Sequence, residues 1–225
     1  MNILITGCSS GLGYEIAKRH LSVGDKVYGI SRSDCDLDLE DFLRVDFKHP
    51  ETYNKIRDES FMQGVNFNRV YLNAGQIGGI KPVNSLTKLD IMEIINGSVL
   101  GNKEVLDNIL QKGSVETVIW TSSGAAEKAY DGLSLYCLSK AMNLQLARCY
   151  KEEFEDLEVY CINPGPFKSK MQEEIRSYDI ELFSSLKRFN EKAEFFPTAE
   201  VVSKKILEVL SKNNKLPFNI TLKYV

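Results

Sequence analysis

The residues of this sequence that could do acid–base chemistry include Tyr136 and Lys140, which lie four positions apart in a segment with a helical pattern. That spacing places both side chains on one face of a helix, close enough to interact. A free tyrosine has a pKa of about 10, and an adjacent ammonium group favours the phenolate and lowers that pKa. A fall of about 3 pH units would suit Tyr136 to general acid–base catalysis near neutrality. The same pair is also common on ordinary helices, so the assignment depends on the rest of the chain.

A hydroxyl group that could join this pair belongs to Ser123. The apolar run at residues 118–120 indicates a buried strand, and it leads through Ser122 and Ser123 to Gly124, where a loop is expected. Ser123 could donate a hydrogen bond to the same substrate oxygen that Tyr136 protonates, an arrangement that suits carbonyl reduction or its reverse. A serine pair followed by glycine is equally typical of a plain turn.

The elements that must position these groups begin with a buried strand at 2–5 and a glycine-rich turn that contains Gly7, Gly11 and Gly13. A helical pattern follows and ends near Gly24. Such a turn between a strand and a helix lets the backbone approach a pyrophosphate and directs the helix N-terminus at it. The spacing differs from the commoner dinucleotide fingerprint, G-x-G-x-x-G, so the argument rests on the position of the turn at the first strand–helix junction.

The second strand is expected at 26–30 and ends in Ser31 and Arg32. An acidic residue at this point would bind the ribose 2′-hydroxyl of NAD, whereas a guanidinium can pair with the 2′-phosphate of NADP. The sequence therefore favours NADP(H) over NAD(H); an ordinary exposed arginine is the alternative. A third strand is expected at 42–46, with Asp46 at the tip where an adenine could lie.

Further strands and helices alternate along the rest of the chain. Strands are expected at 69–72, 115–120, 158–162 and 218–224, and helices at 50–62, 86–110, 134–155 and 198–210. This alternation predicts an α/β fold, a doubly wound and mostly parallel seven-stranded sheet with helices on both faces, formed by a single domain over residues 1–225. Ligands bind such sheets at the carboxyl ends of the strands, where most of the candidate residues lie.

Asn96 and Gly97 lie inside the helix expected at 86–110. Glycine in a helix interior costs about 1 kcal/mol relative to alanine. That cost indicates a local purpose such as a kink or a bound water, with a tolerated surface position as the alternative.

The composition is that of an ordinary soluble globular protein of 225 residues with a net charge of −3. Because basic residues are not in surplus, no nucleic-acid partner is expected. Five scattered cysteines without a C-x-x-C pair and only two histidines predict no metal site. No apolar run approaches the ~20 residues of a membrane span, and the chain opens into a core strand rather than a signal peptide. Reduced thiols then favour a cytoplasmic location.

Taken together, the motifs resemble those of the short-chain dehydrogenase/reductase family, in its short single-domain branch, and this resemblance implies a Rossmann fold. The matching pieces, in the family's order and spacing over nearly the whole chain, are Thr6-Gly7-x-x-x-Gly11-x-Gly13, Asn73-Ala74-Gly75, Asn96, Ser123, Tyr136-x-x-x-Lys140 and Pro164-Gly165-Pro166-x-x-Ser169. Val99 departs from the family where many members have glycine, and Ser169 replaces the usual threonine but keeps the hydroxyl. A narrower likeness to sepiapterin and benzil reductases rests on residues 122–126 and 130–137.

The resemblance implies a role for each matching residue. Tyr136 would donate a proton to the carbonyl oxygen, and Ser123 would orient and polarise the carbonyl. Lys140 would bind the nicotinamide ribose and lower the pKa of Tyr136, and Asn96 would hold a water molecule in the proton relay. The implied NADP(H) contacts, besides Tyr136 and Lys140, are Gly7, Ser9, Ser10, Gly11, Leu12 and Gly13 for the pyrophosphate, Ser31 and Arg32 for the 2′-phosphate, Asp46 for the adenine, Asn73 with Ala74 and Gly75 for the adenosine side, and Phe167 and Ser169, after Pro164 and Gly165, for the nicotinamide carboxamide.

The activity implied is that of an NADPH-dependent oxidoreductase that reduces a ketone or aldehyde to an alcohol. A catalytically silent NADP-binding sensor or scaffold on the same fold is the alternative, against which the intact Ser-Tyr-Lys set argues. A sugar-nucleotide epimerase or dehydratase would need a substrate domain, for which 225 residues leave no room. A Rossmann-type methyltransferase would need an acidic end to the second strand.

The expected substrate pocket is mostly apolar, which favours a small hydrophobic or aromatic carbonyl compound. Its lining is predicted to include Gln76, Ile77, Tyr130, Leu133, Phe167 and Met171. A second stripe along the long helix, at Leu138, Ala141, Met142, Gln145 and Cys149, is explained by default as core packing. The family's habit of pairing through this helix nevertheless favours a homodimer or homotetramer.

Overall fold

A computed structural model describes residues 1–58, 60, 63–178, 182–212 and 216–224 of the chain. Seven strands form one sheet in the order β3-β2-β1-β4-β5-β6-β7, and every neighbouring pair is parallel. The strands are β1 (Asn2–Thr6), β2 (Lys26–Ser31), β3 (Asp41–Arg44), β4 (Asn66–Leu72), β5 (Ser114–Thr121), β6 (Glu158–Asn163) and β7 (Asn219–Thr221). The predicted fold class, a doubly wound parallel sheet with helices on both faces, is confirmed.

Helices connect these strands. They are α1 (Gly11–Ser22), α2 (Tyr53–Asp58), α3 (Lys88–Ile95), α4 (Gly101–Lys112), α5 (Ser134–Glu153), α6 (Lys170–Ser177), α7 (Ser184–Glu191) and α8 (Ala199–Leu210). A turn of π-helix, Asn96–Leu100, joins α3 to α4. Thr87, Ser169 and Thr198 cap α3, α6 and α8, because their side chains accept hydrogen bonds from backbone N–H groups of the first turn.

The sheet buries side chains on both of its faces. In β1, Leu4 packs into one apolar core while Ile3 and Ile5 pack into the other, because successive side chains of a strand alternate. The first core includes residues of α2, α4 and α5, and the second includes residues of α1 and α8. With both faces covered, ligands can reach the strands only at their ends.

The strand order reverses at β1, whose last residue, Thr6, pairs with Ile30 of β2 on one side and Leu72 of β4 on the other. The connections from β1 and β4 leave the sheet in opposite directions there, which opens a crevice at the carboxyl ends of the two strands. The glycine turn at 7–13 and the loop at 73–75 both border this crevice.

The helix predicted at 86–110 does contain a local disturbance. The Gly101 N–H bonds to the Asn96 carbonyl five residues back, which makes this turn wider than an α-helical turn. Two contacts fix it: the Tyr53 hydroxyl donates to the Asn96 carbonyl at 3.2 Å, and the Phe47 ring packs so closely that a Cβ on Gly101 would lie 2.1 Å from it. The Asn-Gly pair therefore marks a π-bulge and not a tolerated surface site.

Several boundaries differ from those predicted. The third strand ends at Arg44 rather than Asp46, because the Asp46 carboxylate accepts a hydrogen bond at 3.0 Å from the Lys48 N–H of the following turn. In place of a helix at 50–62, a 3₁₀ turn (Pro50–Thr52) precedes α2, which ends at Asp58; residues 59, 61 and 62 lie outside the described residues. The short helices α6 and α7 follow the Pro-Gly-Pro loop, where no helix was predicted.

Candidate active site

Tyr136 and Lys140 lie on the first two turns of α5, where Tyr136 is half-buried and Lys140 is only 5% exposed. The Lys140 Nζ lies 5.7 Å from the centre of the Tyr136 ring, within range of a cation–π contact. It donates a hydrogen bond to the Thr121 carbonyl oxygen at 2.7 Å. A Cβ on Gly75 would lie 3.8 Å from the same Nζ, so the lysine also borders the loop after β4. The helical spacing thus brings the two groups together at the ends of β4 and β5.

Burial sets the acidity of both groups. Loss of water raises the pKa of Tyr136 above its usual value, and a hydrogen bond with the Ser123 side chain opposes that shift. The same loss of water lowers the pKa of Lys140 to about 8. The predicted depression of the Tyr136 pKa by Lys140 is therefore wrong for this structure, because desolvation of the phenolate outweighs an ammonium that contacts the ring and a carbonyl group. Tyr136 consequently stays protonated at neutral pH.

Ser123 follows β5 and is partly exposed, whereas its neighbour Ser122 is buried, with its N–H bonded to the Ile162 carbonyl at 2.8 Å. The Ser123 Oγ accepts a hydrogen bond from the Ala125 N–H at 3.2 Å. This contact fixes the side chain through an oxygen lone pair and leaves the hydroxyl proton available for another acceptor. Ser123, and not Ser122, is the serine beside Tyr136.

Asn96 is buried at the first position of the π-turn. Ser98, two residues later, ties this turn to its surroundings. The Ser98 carbonyl accepts a hydrogen bond from Asn143 Nδ2 at 2.9 Å, and its hydroxyl accepts one from the Gln76 N–H at 3.1 Å. Because Asn143 is on α5, these contacts hold the segment of Asn96 against the helix that carries the Tyr–Lys pair.

The turn after β1 suits a dinucleotide pyrophosphate. Gly7 and Gly11 have φ values of 73° and 59°, a conformation that strains any residue with a side chain. Gly13 has no room for one, because a Cβ there would lie 2.2 Å from the Gly7 carbonyl oxygen. Ser10 caps α1 without a side-chain hydrogen bond, which leaves the first N–H groups of the helix available to an anion.

The other side chains of this turn differ in exposure. Ser9 is partly buried and Ser10 is exposed, so both hydroxyls can reach the crevice. Leu12 is 4% exposed and packs into the apolar core with Ile16. Leu12 can therefore contact a cofactor only through its backbone.

The Thr6 hydroxyl joins the glycine turn to the loop after β4. It accepts hydrogen bonds from the N–H groups of Asn73 and Ala74 at 2.9 and 3.0 Å. It also lies 2.7 Å from Asn102 Oδ1, to which it donates its proton. The Asn73 carboxamide completes the junction, since its Oδ1 accepts a hydrogen bond from the Thr121 hydroxyl at 3.1 Å. Asn73 and Ala74 are thus rigidly placed at the crevice.

The end of β2 presents an unpaired cation. Arg32 is exposed, and its guanidinium has no hydrogen bond or ion pair with any residue in the described part of the chain. Arg44, by contrast, pairs with Asp34 at 3.3 Å. Ser31 is buried and its hydroxyl donates to the Ser33 carbonyl at 2.5 Å, so it is already engaged within the protein.

The loop after β6 carries the remaining predicted cofactor residues. Pro164 is buried, and Gly165 has a φ of 69°. Phe167 packs against the core shared by α1 and α8 and not into the predicted pocket wall. The Ser169 hydroxyl accepts a hydrogen bond from the Gln172 N–H at 3.3 Å and so caps α6. In this structure Ser169 therefore acts as the N-cap of α6.

A small apolar cluster, called here the lid cluster, packs beside Tyr136. Its members are Ile77, Ile80, Tyr130, Leu133, Cys137, Met171, Ile175, Phe183, Leu186 and Phe189. It therefore contains four of the six predicted lining residues, whereas Gln76 directs its side-chain amide to the Glu93 carbonyl at 3.1 Å. A cleft of about 340 Å³ opens nearby, and its lining includes Arg32, Ile77, Leu135, Glu174 and Tyr178.

Asp131 fastens the lid cluster to the rest of the protein. Its carboxylate accepts hydrogen bonds from the N–H groups of Ser184 and Ser185 at 2.8 and 2.9 Å, at the start of α7. Beside it, Gly132 has a φ of 77°, and the Phe183 ring lies 2.8 Å from where its Cβ would be. The loop before α5 and the start of α7 therefore form one packed unit.

The polar residues that hold the site together were given no role from the sequence, although Thr6 begins the glycine motif quoted above. They are Thr6, Ser98, Asn102, Thr121 and Asn143. The spacing of Ser98 and Asn102, four apart in a helical segment, was an available signal for a polar face turned inward. The contact of Thr6 with Asn102 spans 96 positions, and no local pattern indicates it.

The described ranges lack two kinds of feature. No helix there has the length and apolar character that a membrane span requires. No group of three or more histidine, cysteine or acidic side chains comes together there as metal ligands would.

Comparison with known proteins gives a family and a fold. The family model described as short chain dehydrogenase matches residues 1–179. A benzil reductase ((S)-benzoin forming) of Bacillus subtilis (strain 168) is 30% identical over 201 residues, which cover 83% of this chain and 82% of that protein. A benzil reductase ((S)-benzoin forming) of Saccharomyces cerevisiae is 28% identical over 195 residues, 77% of this chain and 74% of the other. The solved structure of the KRED1-Pglu enzyme has a TM-score of 0.84 over 99% of this chain and all of that one, at 23% identity, which bears on the fold alone.

Proposed function

Because this chain belongs to the short-chain dehydrogenase family, we propose that it is an NADPH-dependent carbonyl reductase that converts a ketone or aldehyde into an alcohol. The observation that carries the proposal is the grouping of Ser123, Tyr136 and Lys140 at the carboxyl ends of the strands. The glycine turn nearby suits the pyrophosphate of the cofactor. Two relatives are named benzil reductase, and benzil is a carbonyl compound; their names support the same kind of reaction here.

In the proposed reaction Tyr136 donates its phenolic proton to the carbonyl oxygen, and Ser123 donates a hydrogen bond to the same oxygen. NADPH, when bound, supplies the hydride that adds to the carbonyl carbon. Ser123 can act as a donor because its Oγ is held by the Ala125 N–H through a lone pair. Lys140, fixed by its hydrogen bond to the β5 backbone, would hold the nicotinamide ribose. Asn96 would hold a water molecule that returns a proton to the site.

The acidity of Tyr136 supports reduction over oxidation. Burial raises the pKa of this phenol, so at neutral pH it holds the proton that a reduction consumes. Oxidation of an alcohol would require the phenolate as a base, the form that burial disfavours. The protonated phenol therefore suits the role of proton donor in the proposed reduction.

The preference for NADPH rests on Arg32. Its guanidinium is exposed at the end of β2 and has no partner in the described ranges. A guanidinium can take a 2′-phosphate through two parallel hydrogen bonds, which an ordinary ribose hydroxyl cannot match. We assign Arg32 as the 2′-phosphate contact.

The lid cluster supports an aromatic or otherwise hydrophobic substrate. It sets aliphatic and aromatic side chains beside the hydroxyl groups of Ser123 and Tyr136. Apolar pockets with a few placed polar groups bind small apolar ligands and orient their polar atoms. Aryl ketones and diketones such as benzil are therefore the first compounds to test.

Tyr136→Phe tests the reaction. NADPH oxidation with benzil should fall at least 100-fold, since a general acid contributes roughly that much or more, while NADPH fluorescence still reports cofactor binding. Tyr160→Phe is the matched control, because among the described residues this hydroxyl donates only to Glu158 on β6, at 3.3 Å. Wild-type turnover in the Tyr136 variant would refute the assignment.

Tight NADPH binding by the wild-type protein with no turnover on a panel of carbonyl compounds would identify a silent sensor or scaffold.

Arg32→Ala tests the cofactor preference. The ratio of kcat/KM with NADPH to that with NADH should fall at least tenfold in this variant, because the lost contact is made only to the 2′-phosphate. Arg44→Ala is the control, since Arg44 is also exposed on the neighbouring strand but pairs with Asp34. Equal effects in the two variants would contradict the assignment to Arg32.

We also propose that the protein forms a homodimer or homotetramer through α5. The stripe at residues 138, 141, 142, 145 and 149 is not core packing in this chain, because Leu138 is 39% exposed and Ala141, Gln145 and Cys149 are exposed. Light scattering of the wild-type protein and of Leu138→Glu tests this proposal. The wild type should have at least twice the chain mass and the variant should dissociate; a monomeric wild type would contradict it.

A further inference from the structure

Tyr130 places a third hydroxyl group at the candidate site. It lies in the loop between β5 and α5, six residues before Tyr136. A Cβ built on Gly124, the residue after Ser123, would lie 3.1 Å from the Tyr130 Oη. The hydroxyl also lies near enough to Tyr136 to disfavour its phenolate electrostatically. Tyr130 therefore stands beside both groups that are assigned to the reacting carbonyl oxygen.

The ring of Tyr130 is held while its hydroxyl is not. The ring packs against Phe189 with centroids 5.3 Å apart, and both belong to the lid cluster. The Tyr130 carbonyl accepts a hydrogen bond from the Leu133 N–H at 3.1 Å, which fixes the loop backbone. Within the described part of the chain, the partly buried hydroxyl has no hydrogen-bond partner. A mostly apolar cluster thus offers the Tyr130 hydroxyl to a ligand.

Such an atom discriminates between ligands. A substrate that brings an acceptor satisfies the hydroxyl, whereas one that brings only carbon to this position leaves a polar group desolvated and unpaired, which weakens its binding. We expect the acceptor to lie on an atom next to the reacting carbonyl, because the Tyr130 Oη would be 3.1 Å from a Cβ on Gly124, the residue that directly follows Ser123. A vicinal dicarbonyl compound has its second oxygen on the adjacent carbon.

We propose that Tyr130 is a specificity-determining residue that donates a hydrogen bond to the second carbonyl oxygen of a 1,2-diketone while Ser123 and Tyr136 hold the first. This inference rests on the proposed carbonyl reduction and narrows its substrate class to vicinal dicarbonyl compounds with apolar substituents. Reduction of the first carbonyl yields a 2-hydroxyketone, in which the oxygen held by Tyr130 remains a carbonyl. Within one binding event the remaining carbonyl lies away from Tyr136, so the 2-hydroxyketone is the expected first product.

Two substrates with the same carbon skeleton isolate this contact. Benzil has two adjacent carbonyl groups, and deoxybenzoin (1,2-diphenylethanone) has a methylene group in place of one of them. In Tyr130→Phe, kcat/KM for benzil should fall about tenfold more than kcat/KM for deoxybenzoin, since one neutral hydrogen bond contributes up to about 1.5 kcal/mol. The main product from benzil with the wild-type enzyme should be benzoin and not the diol.

Phe189→Leu is the matched control. It loosens the packing of the Tyr130 ring but removes no hydrogen-bond donor, so the benzil-to-deoxybenzoin ratio should stay within twofold of the wild-type ratio. A ratio in Tyr130→Phe that equals the wild-type ratio would overturn the inference. A wild-type protein that reduces neither substrate with NADPH or NADH would instead overturn the proposed function, so the two failures are distinct.

Discussion

The Thr6 hydroxyl and the Asn102 side chain form a buried hydrogen bond of 2.7 Å that links the end of β1 to α4. Thr6 is fully buried and Asn102 is 1% exposed. The Asn102 Nδ2 donates to the carbonyls of Ala74 and Ser98 at 2.8 and 3.2 Å. One carboxamide therefore joins the strand before the glycine turn, the loop after β4 and the π-turn that contains Asn96.

Replacing Asn102 with leucine should destabilise the protein and weaken cofactor binding. The change removes the acceptor of the buried Thr6 hydroxyl and the Asn102 donor of the part-buried Ala74 carbonyl, while the Ser98 carbonyl keeps its hydrogen bond from Asn143. A buried polar group without a partner costs about 1–3 kcal/mol. We expect the free energy of unfolding in urea to fall by about 3 kcal/mol. Gln111→Leu, an exposed change on the same helix, should alter it by less than about 0.5 kcal/mol. If Asn102→Leu were no less stable than this control, the network would not be a structural junction.

Lys140→Met should make the protein more stable at pH 7 while it abolishes turnover. The pKa of Lys140 falls from 10.5 to about 8 in the folded protein, so burial of the ammonium opposes folding by about 3 kcal/mol. Loss of the hydrogen bond to Thr121 removes part of the gain. We expect the free energy of unfolding to rise by about 1–2 kcal/mol.

The gain in the free energy of unfolding of Lys140→Met should depend on pH in a defined direction. The folded pKa of Lys140 lies below the unfolded one, so between pH 8 and pH 10.5 the unfolded chain binds more protons and the wild-type protein becomes more stable as the pH rises. The advantage of Lys140→Met should therefore shrink between pH 8 and pH 10. Lys204→Met, on an exposed position of α8, should show no such change. A constant advantage across this range would contradict the burial of a charged amine.

The sequence predicted the parts of the site that follow a local rule. Tyr136 and Lys140 lie together because helical spacing requires it, and the turn can adopt positive φ at Gly7 and Gly11 because glycine has no Cβ to strain that conformation. The disturbance at Asn96 was visible as an Asn-Gly pair within a helix. Each of these features is encoded within a few residues.

Properties set by contacts across the fold were not predictable in the same way. The acidity of Tyr136 follows from its burial in the lid cluster, which α6 and α7 complete. Both helices have only eight residues and lie in a stretch for which no helix was predicted. Phe167 follows a strand as expected, but its ring turns to the core beside α1. A one-dimensional pattern places a residue at a strand end and leaves open which way its side chain points.

Gly13→Ala should damage the fold as well as the predicted cofactor site. The added Cβ would lie 2.2 Å from the Gly7 carbonyl oxygen and 2.7 Å from Asn73 Nδ2, so the turn or the start of α1 must move. We expect a loss of about 2 kcal/mol in the free energy of unfolding and at least tenfold weaker NADPH binding by fluorescence titration. Gly79→Ala is the control, because its nearest neighbour is the flexible Lys81 side chain at 3.5 Å. Wild-type stability in Gly13→Ala would contradict this close packing.

Asp131→Ala should increase local opening of α7 selectively. The carboxylate caps the start of this helix through Ser184 and Ser185, and loss of such a cap costs about 1 kcal/mol. Amide hydrogen exchange in residues 184–191 should speed up about fivefold relative to exchange in α4, while Asp38→Ala, an exposed change, leaves both rates as they are. These hydrogen bonds lower the pKa of Asp131, so its contribution is complete above the ordinary value of 3.8 and is lost as the pH falls through the folded value. The difference between the two proteins should therefore persist at pH 6 and fade as the pH falls through the lowered pKa of Asp131; unchanged exchange in α7 at pH 6 would rule out the capping role.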